Sequence, residues 1–360
     1  MTESDFIPSA YLQKPTTGSV TWKSPSNIAL VKYWGKKEHQ IPANPSISFT
    51  LVDCATTTTL RYEKLAVIGD AFQFDLIFEG QPKASFKPKI ETFFERIESY
   101  LPFLKEYHFT IETSNSFPHS SGIASSASGM SALALCLMSL EKSLKPEMSD
   151  TFFNQKASFL ARLGSGSACR SIEGPLIQWG EHEETAGSSD LYGVAYPYEV
   201  HEVFKDFQDT ILLVDKGEKQ VSSSVGHNLM HDHPYAKNRF KQAHQHLTAL
   251  QEVFKQGDLK RFIEIVESEA LTLHAMMMTS LPYYILMKPN TLNIINSIWK
   301  YRKETESNIC FTLDAGANVH VLYPKSEKHE VLGFIKKELA QYCQNQQYIC
   351  DETGTGAKKL

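Results

Sequence analysis

The chain lacks most of the devices that hold small or specialised proteins together. Its six cysteines (Cys54, Cys136, Cys169, Cys310, Cys343 and Cys350) are scattered without a Cys-x-x-Cys pair, which argues against a disulfide scaffold or a zinc ribbon. No stretch supplies the apolar length needed to cross a bilayer, and the richest, Leu271 to Met287, is interrupted by His274 and Pro282. The N-terminal segment MTESDFIPSAYLQKPTTGSV has no basic region followed by an apolar run, so no leader is expected. Neither sign of charge dominates: 36 Lys plus Arg against 41 Asp plus Glu leave a net charge of -5. Such a surface has no general attraction for nucleic acid or anionic membrane, and an anionic ligand must be held by a local cluster of cations. No internal repeat is visible. These absences leave a soluble protein of a reducing compartment, most simply the cytoplasm.

What is present is ordinary globular composition, with 42% apolar, 21% charged and 11% aromatic residues over 360 positions. That length predicts one large domain or two ordinary ones. From Ser19 to about Phe78, β-branched and aromatic segments (SVTW, NIALVKYW, SISFTLV, ATTTTLRY, FQFDLIF) alternate with turn residues and read as strands. Lys89 to Leu104 reads as a helix, HFTIET as a strand, and Ser125 to Leu144 as a helix with one apolar face. The second half opens on TILLVD near Thr210 and turns helical over Tyr235–Gln256, Asp258–Met276 and Thr291–Glu306. CFTLDAG and NVHVLYP predict a hairpin around Ala315 to Ala317, followed by a helix from about Lys328 and a closing strand in QQYICDE. Strand runs segregated from helix runs predict an α+β chain of two lobes, 1–203 and 204–360, with the junction within Glu183 to Phe207.

Four segments carry chemistry. Ser116 to Gly129 (SFPHSSGIASSASG) lies between a predicted strand and a predicted helix, where free N–H groups, a helix dipole and hydroxyls face an anion. It has neither the Gly-Lys pair of a P-loop nor a dinucleotide fingerprint, so Ser125 and Ser126 either cap the helix or hold a phosphate. Asn27 to Lys36 (NIALVKYWGK) puts Lys32 and Lys36 on one face of an extended strand, with Tyr33 opposite. Two such cations suit a multiply charged anion, although lysines also protect edge strands. Gly164 to Ser171 (GSGSACRS) lets backbone approach a ligand closely and ends in the planar fork of Arg170. Leu313 to Asn318 (LDAGAN) ends a strand on Asp314, placed to orient or deprotonate a hydroxyl or simply to make a turn.

Taken together and in this order, the segments resemble the diphosphomevalonate decarboxylase family of the GHMP kinase superfamily. The family's NIAxxKYWGK is matched by Asn27–Lys36, FPxxxGLASSAxG by Phe117–Gly129, GSGSACRS by Gly164–Ser171 and DAGPN by Asp314–Asn318. Val221–Gly226, after Lys216 and Lys219, resembles VSSxxGM. Departures are His119, Ser120 and Ser121 for Thr-Ala-Ala, Pro175 for a glycine, Ala317 for proline and His227 for methionine. None removes a group that must carry charge. The segment Arg61–Tyr107, where adenine contacts belong, offers no match.

The resemblance implies a two-lobed fold, with a ribosomal protein S5 domain 2-like N-terminal lobe and a ferredoxin-like C-terminal lobe around a cleft. It implies a lyase that uses ATP and Mg²⁺ to phosphorylate the tertiary hydroxyl of mevalonate 5-diphosphate and release phosphate and carbon dioxide, giving isopentenyl diphosphate. Asp314, Lys32, Arg170 and Ser126 take the catalytic places. Asn27, Tyr33, Lys36, Ser165, Ser167, Arg170 and Ser223 take those for substrate. Pro118, Ser121, Gly122, Ala124, Ser125 and Ser126 take those for nucleotide, with Mg²⁺ carried by ATP and touched at most by Ser126. A homodimer is also implied. Alternatives are a decarboxylase of mevalonate 5-phosphate, a mevalonate 3-kinase, and a non-catalytic sensor, against which the intact Asp314 and phosphate loop argue. His227, His231, His233, His244 and His246 read as solvated histidines rather than a zinc site, and Met276, Met277 and Met278 as packing.

Overall fold

The computed structural model describes residues 1–11, 14–118, 123–217 and 223–360, apart from the side chains of residues 223 and 224. Two sheets organise these residues, one of eight strands and one of four. In the first, β1 (Thr17–Val31) and β2 (Ser46–Lys64) are followed by β3 (Gln73–Phe78), β4 (Gln81–Pro82), β5 (Tyr107–Asn115), β6 (Leu176–Trp179) and β7 (Val194–Ala195). The segments SVTW and NIALVKYW, read as separate strands, join into β1; Pro25 is accommodated at a register shift between Pro25 and Asn27, where a missing ladder donor does no harm. β2 is long enough to serve two neighbours beyond β1, pairing with β6 through Ser46–Phe49 and with β5 through Thr56–Lys64.

The second sheet holds β8 (Gln208–Leu212), β9 (Cys310–Thr312), β10 (Val319–Tyr323) and β11 (Tyr348–Glu352) in the order β11-β8-β10-β9. The expected hairpin is present, with His320 opposite Thr312 and Asp314 to Asn318 in its turn. The chain changes sheets between Ala195 and Gln208, and its last strand, β12 (Lys358–Lys359), returns to the first sheet beside β1.

Helices α1 (Lys87–Ile97), α2 (Ser125–Leu144) and α3 (Asp150–Gly164) form one apolar core with the first sheet. The expected helix Lys89–Leu104 stops at Ile97 and resumes as a short 3-10 turn at Pro102–Lys105, because Pro102 has no N–H to continue it. α2 is buried on every side from Met130 to Met138 rather than along one face, since β1, β2 and α3 surround it. Its small residues allow this: Ser131 meets Ser24 at 2.5 Å and Ser128 meets Thr56 at 2.6 Å. α3, unmarked in the sequence reading, is capped by the Ser149 hydroxyl, which accepts from Phe152 N–H at 3.2 Å.

The short α4 (Ser223–Asn228) precedes the long α5 (Ala236–Gln256) and α6 (Leu259–Met278). Leu247, Leu250 and Val253 of α5 and Phe262 of α6 pack on Ile28, Ile47 and Phe49, so one apolar core joins the two sheets. α7 (Pro289–Thr305) and α8 (Lys328–Phe334) cover the second sheet. Among the described residues no helix is long and apolar enough to cross a membrane.

Candidate active site

β1 ends at Val31, and the next residue, Lys32, is 2% exposed although it carries a charge. Its ammonium meets Asp314 Oδ1 at 3.0 Å, delivered from the turn of the β9–β10 hairpin. Burial pulls the Lys32 amine below the ordinary lysine value, and the Asp314 carboxylate pulls the other way. An edge-protecting lysine would point to water, so that reading of Lys32 is set aside. Regular alternation up to Gly35 also fails, because Gly35 sits at φ +98 and turns the chain; an added Cβ there would meet the Phe240 ring at 3.0 Å. Lys36 is consequently half-buried beside the cleft, with desolvation and Arg96 lowering its proton affinity.

Arg170 is the penultimate residue of the 3-10 turn Gly166–Ser171 and is 3% exposed. Its Nη1 donates to Ser46 Oγ at 2.6 Å and its Nε to Asn27 Oδ1 at 3.4 Å, while its plane lies over Trp179. Nη2 carries no hydrogen bond to a described residue and remains the hand that can grip a planar anion. Asn27, expected at the substrate, donates from Nδ2 to Ser167 O at 3.2 Å and Ser171 Oγ at 2.8 Å, which ties it to the Arg170 turn. Ser165 and Ser167 flank Gly166, where a Cβ would stand 2.9 Å from the Tyr33 hydroxyl; the glycine lets Tyr33 close against the turn.

α2 opens on Ala124 in the left-handed region, φ 48, with no side-chain cap. Ser125 and Ser126 are therefore in the first turn rather than at the cap, which removes the capping alternative and leaves N–H groups and hydroxyls for an anion. Ser126 Oγ accepts from Lys89 Nζ at 2.9 Å. Beside them lies a cavity of about 170 Å³ whose wall includes Leu76, Phe78, Phe86, Thr113, Asn115 and Met130. Leu76, Phe78, Phe86 and Lys89 come from the very segment that offered no sequence match, and no spacing or motif there announced them. Ser121 and Gly122 lie outside the described residues, as do Lys219 and the side chain of Ser223; Pro118 is exposed at the edge of the loop.

Two histidines were also missed. His274 donates from Nε2 to the Asp314 carbonyl at 3.1 Å, and burial holds its imidazole at about 4, hence neutral near pH 7. Its signal was only that it interrupts the apolar run of α6. His227, expected in solvent, is buried between Tyr33 at 4.2 Å and Trp34 at 4.6 Å, and its Nδ1 accepts from Gly35 N–H at 3.0 Å. Burial, with Lys36 and Arg170 adding to it, lowers its pKa to about 3. His233 is buried as well, against the expectation that it is solvated. Among the described residues no group of three or more His, Cys, Asp or Glu could hold a metal ion. Met276 and Met277 pack with Trp34, Met230 and Leu273, whereas Met278 is exposed.

Residues 24–191 match the model of the diphosphomevalonate decarboxylase-like N-terminal domain, and residues 210–359 that of the mevalonate 5-diphosphate decarboxylase C-terminal domain. The chain belongs to the diphosphomevalonate decarboxylase family. A diphosphomevalonate decarboxylase of Ganoderma lucidum is 29% identical over 344 residues, covering 89% of this chain and 82% of its own. That of Saccharomyces cerevisiae is 27% identical, covering 89% and 81%. Among solved structures, mevalonate diphosphate decarboxylase from Staphylococcus aureus superposes with a TM-score of 0.81 at 26% identity, covering 96% of this chain and 98% of that one. MDDEF, in complex with MVAPP, AMPPCP and magnesium, gives 0.80 at 27% identity, covering 96% and 99%.

Proposed function

We propose that the protein carries out the ATP-dependent decarboxylation of mevalonate 5-diphosphate, yielding isopentenyl diphosphate, ADP, phosphate and carbon dioxide. The observation that carries the reading is the Lys32–Asp314 pair at 3.0 Å, with Arg170 electrostatically coupled to Asp314. Asp314 takes the proton of the tertiary hydroxyl, whose oxygen then attacks the terminal phosphorus of ATP. Lys32 keeps Asp314 ionised for that role and His274 fixes its main chain. Arg170 Nη2 grips the substrate carboxylate. When the carboxylate leaves as carbon dioxide, the electrons of its C–C bond form the new double bond and phosphate departs from the neighbouring carbon. Tyr33, Lys36, Ser165, Ser167 and Ser223 hold the rest of the substrate, with Lys36 toward its diphosphate.

The residues fit a nucleotide. An uncapped helix terminus at Ser125 and Ser126, with Lys89 above it, suits phosphates, and the apolar cavity beside it suits a base. Pro118, Ser121, Gly122 and Ala124 are assigned to the nucleotide as well, on the family resemblance. Mg²⁺ would be held through the nucleotide, with Ser126 as the protein group that could contribute a ligand, and would supply charge neutralisation at the transferring phosphate.

A cytoplasmic homodimer with lobes 1–203 and 204–360 completes the proposal. Family resemblance supports the dimer, six unpaired cysteines support the compartment, and the change of sheets after Ala195 supports the division. The test is incubation with ATP, Mg²⁺ and mevalonate 5-diphosphate, following ADP, phosphate and carbon dioxide together, with mevalonate 5-phosphate in parallel. Equal yields of all three products are expected. ADP without carbon dioxide would make the protein a 3-kinase, and turnover of the monophosphate alone would make it the other decarboxylase.

A further inference from the structure

Lys32 lies just beyond the end of β1, and neither of its main-chain polar groups is held by a neighbouring strand. Both are held by side chains instead. Its N–H donates to Glu269 Oε2 at 2.8 Å, and its carbonyl accepts from Arg239 Nη2 at 3.0 Å and from Asn44 Nδ2 at 2.9 Å. Glu269 and Arg239 are themselves a two-pronged ion pair, with Nη1 to Oε1 at 2.9 Å and Nη2 bonded to Oε2. Both side chains are fully buried. His246 Nδ1–H adds a fourth bond to Glu269, to Oε1 at 2.6 Å. A buried pair of this kind is weak support for folding, because apolar residues of similar size often serve as well. Its geometry has a different use: Arg239 on α5 and Glu269 on α6 span both backbone groups of the residue that follows β1.

We infer that Arg239 and Glu269 are positioning residues that set the backbone of Lys32, and through it the approach of the Lys32 ammonium to Asp314. The inference rests on the catalytic reading of that pair. An error of about 1 Å at a reacting group costs on the order of a hundredfold in rate, so a clamp on the main chain is worth having even where it adds little stability.

The test compares the double variant Arg239→Met/Glu269→Leu with Lys156→Met/Glu141→Leu. The second removes a buried ion pair at the far end of α2, linked to Tyr100 and Tyr11 rather than to the site. Both remove one buried pair, so a merely structural role predicts the same kinetics for each. The expected result is a fall in kcat of roughly 10- to 100-fold for the first alone, with KM for mevalonate 5-diphosphate within about threefold of the parent. Glu269→Gln, which keeps an acceptor for the Lys32 N–H, should recover part of kcat relative to Glu269→Leu. Equal kcat in the two double variants would overturn the inference. If the Arg239→Met/Glu269→Leu protein fails to fold, Arg239→Lys and Asn44→Ala are measured instead; each is expected to lower kcat about three- to tenfold, and parental kcat in both overturns it. Lys32→Met and Asp314→Asn run alongside. Should those two keep full turnover, the catalytic reading falls and the clamp's role with it; should they be inactive while the clamp variants are not, only the clamp falls.

Discussion

The Lys32 ammonium reaches the Asp314 carboxylate at 3.0 Å across 282 positions of sequence, joining the end of a strand in one sheet to a hairpin turn in the other. Lys32 is nearly inaccessible while the Asp314 side chain keeps 27% of its surface, so the pair has a closed end and an open one. The open end is where a substrate hydroxyl can meet the carboxylate.

Asp314→Asn keeps the shape of that end and removes the proposed base. Its kcat for carbon dioxide release should fall by roughly 10²- to 10⁴-fold, with ATP affinity little changed, as read by stopped-assay product analysis and by calorimetry with a non-hydrolysable nucleotide. Full turnover would remove Asp314 from the chemistry.

Arg170→Lys keeps the charge but loses the fork that ties Ser46 and Asn27 while leaving Nη2 free. A charge-assisted hydrogen bond of about 2 kcal/mol corresponds to roughly thirtyfold in kcat/KM. Steady-state kinetics against mevalonate 5-diphosphate would show it, and an unchanged kcat/KM would mean that Arg170 serves only the local packing.

Lys89→Ala and Phe78→Ala act on the nucleotide side alone. Each is expected to raise the Kd for ATP by about tenfold while leaving substrate binding in place, measured by titration calorimetry. Unaltered ATP affinity in both would place the nucleotide elsewhere than the cavity beside Ser126.

Acid should destabilise the fold through His227 before it affects most carboxylates. Burial holds this imidazole at about 3, against an ordinary 6.5, so between those values the unfolded chain binds the proton and the folded one does not. Stability from this group is complete above about 6.5 and is lost as pH falls toward 3, a span worth roughly 5 kcal/mol. In urea unfolding from pH 7 to pH 4, His227→Gln should lose less stability than the parent; parallel curves would show that His227 is protonated without penalty. His274, held at about 4, contributes a smaller total of the same sign, because its window from 6.5 down to about 4 is narrower.

Much of the site was legible because its chemistry is local in sequence. A loop of small hydroxyl residues before a helix, a Gly-Ser turn ending in arginine, and an aspartate at the end of an apolar strand each stand out by composition, and their order along the chain, through the family resemblance, is what attached a function to them. The long amphipathic helices α5, α6 and α7 were legible for a similar reason, since period and caps such as Asp258, whose carboxylate accepts from Arg261 N–H at 3.0 Å, are written in adjacent positions. The Met130–Met138 stretch of α2 looked one-faced because serine and alanine read as polar or neutral, and only their tight packing shows them to be interior.

What the sequence by itself determined is the set of candidate side chains and the turns and helix starts that carry them, because those depend on residues within a few positions of one another. What only the tertiary structure decided is which of them meet and what surrounds them. Phe78, Phe86 and Lys89 line the cavity next to Ser126 because a parallel pairing of β3 with β5 brings their segment there. His227 is neutral because Tyr33 and Trp34 exclude water from it, and Lys32 is placed by Glu269 and Arg239 more than 200 residues away. Burial and long-range pairing are properties of the packed chain, and no local pattern of residues carries them.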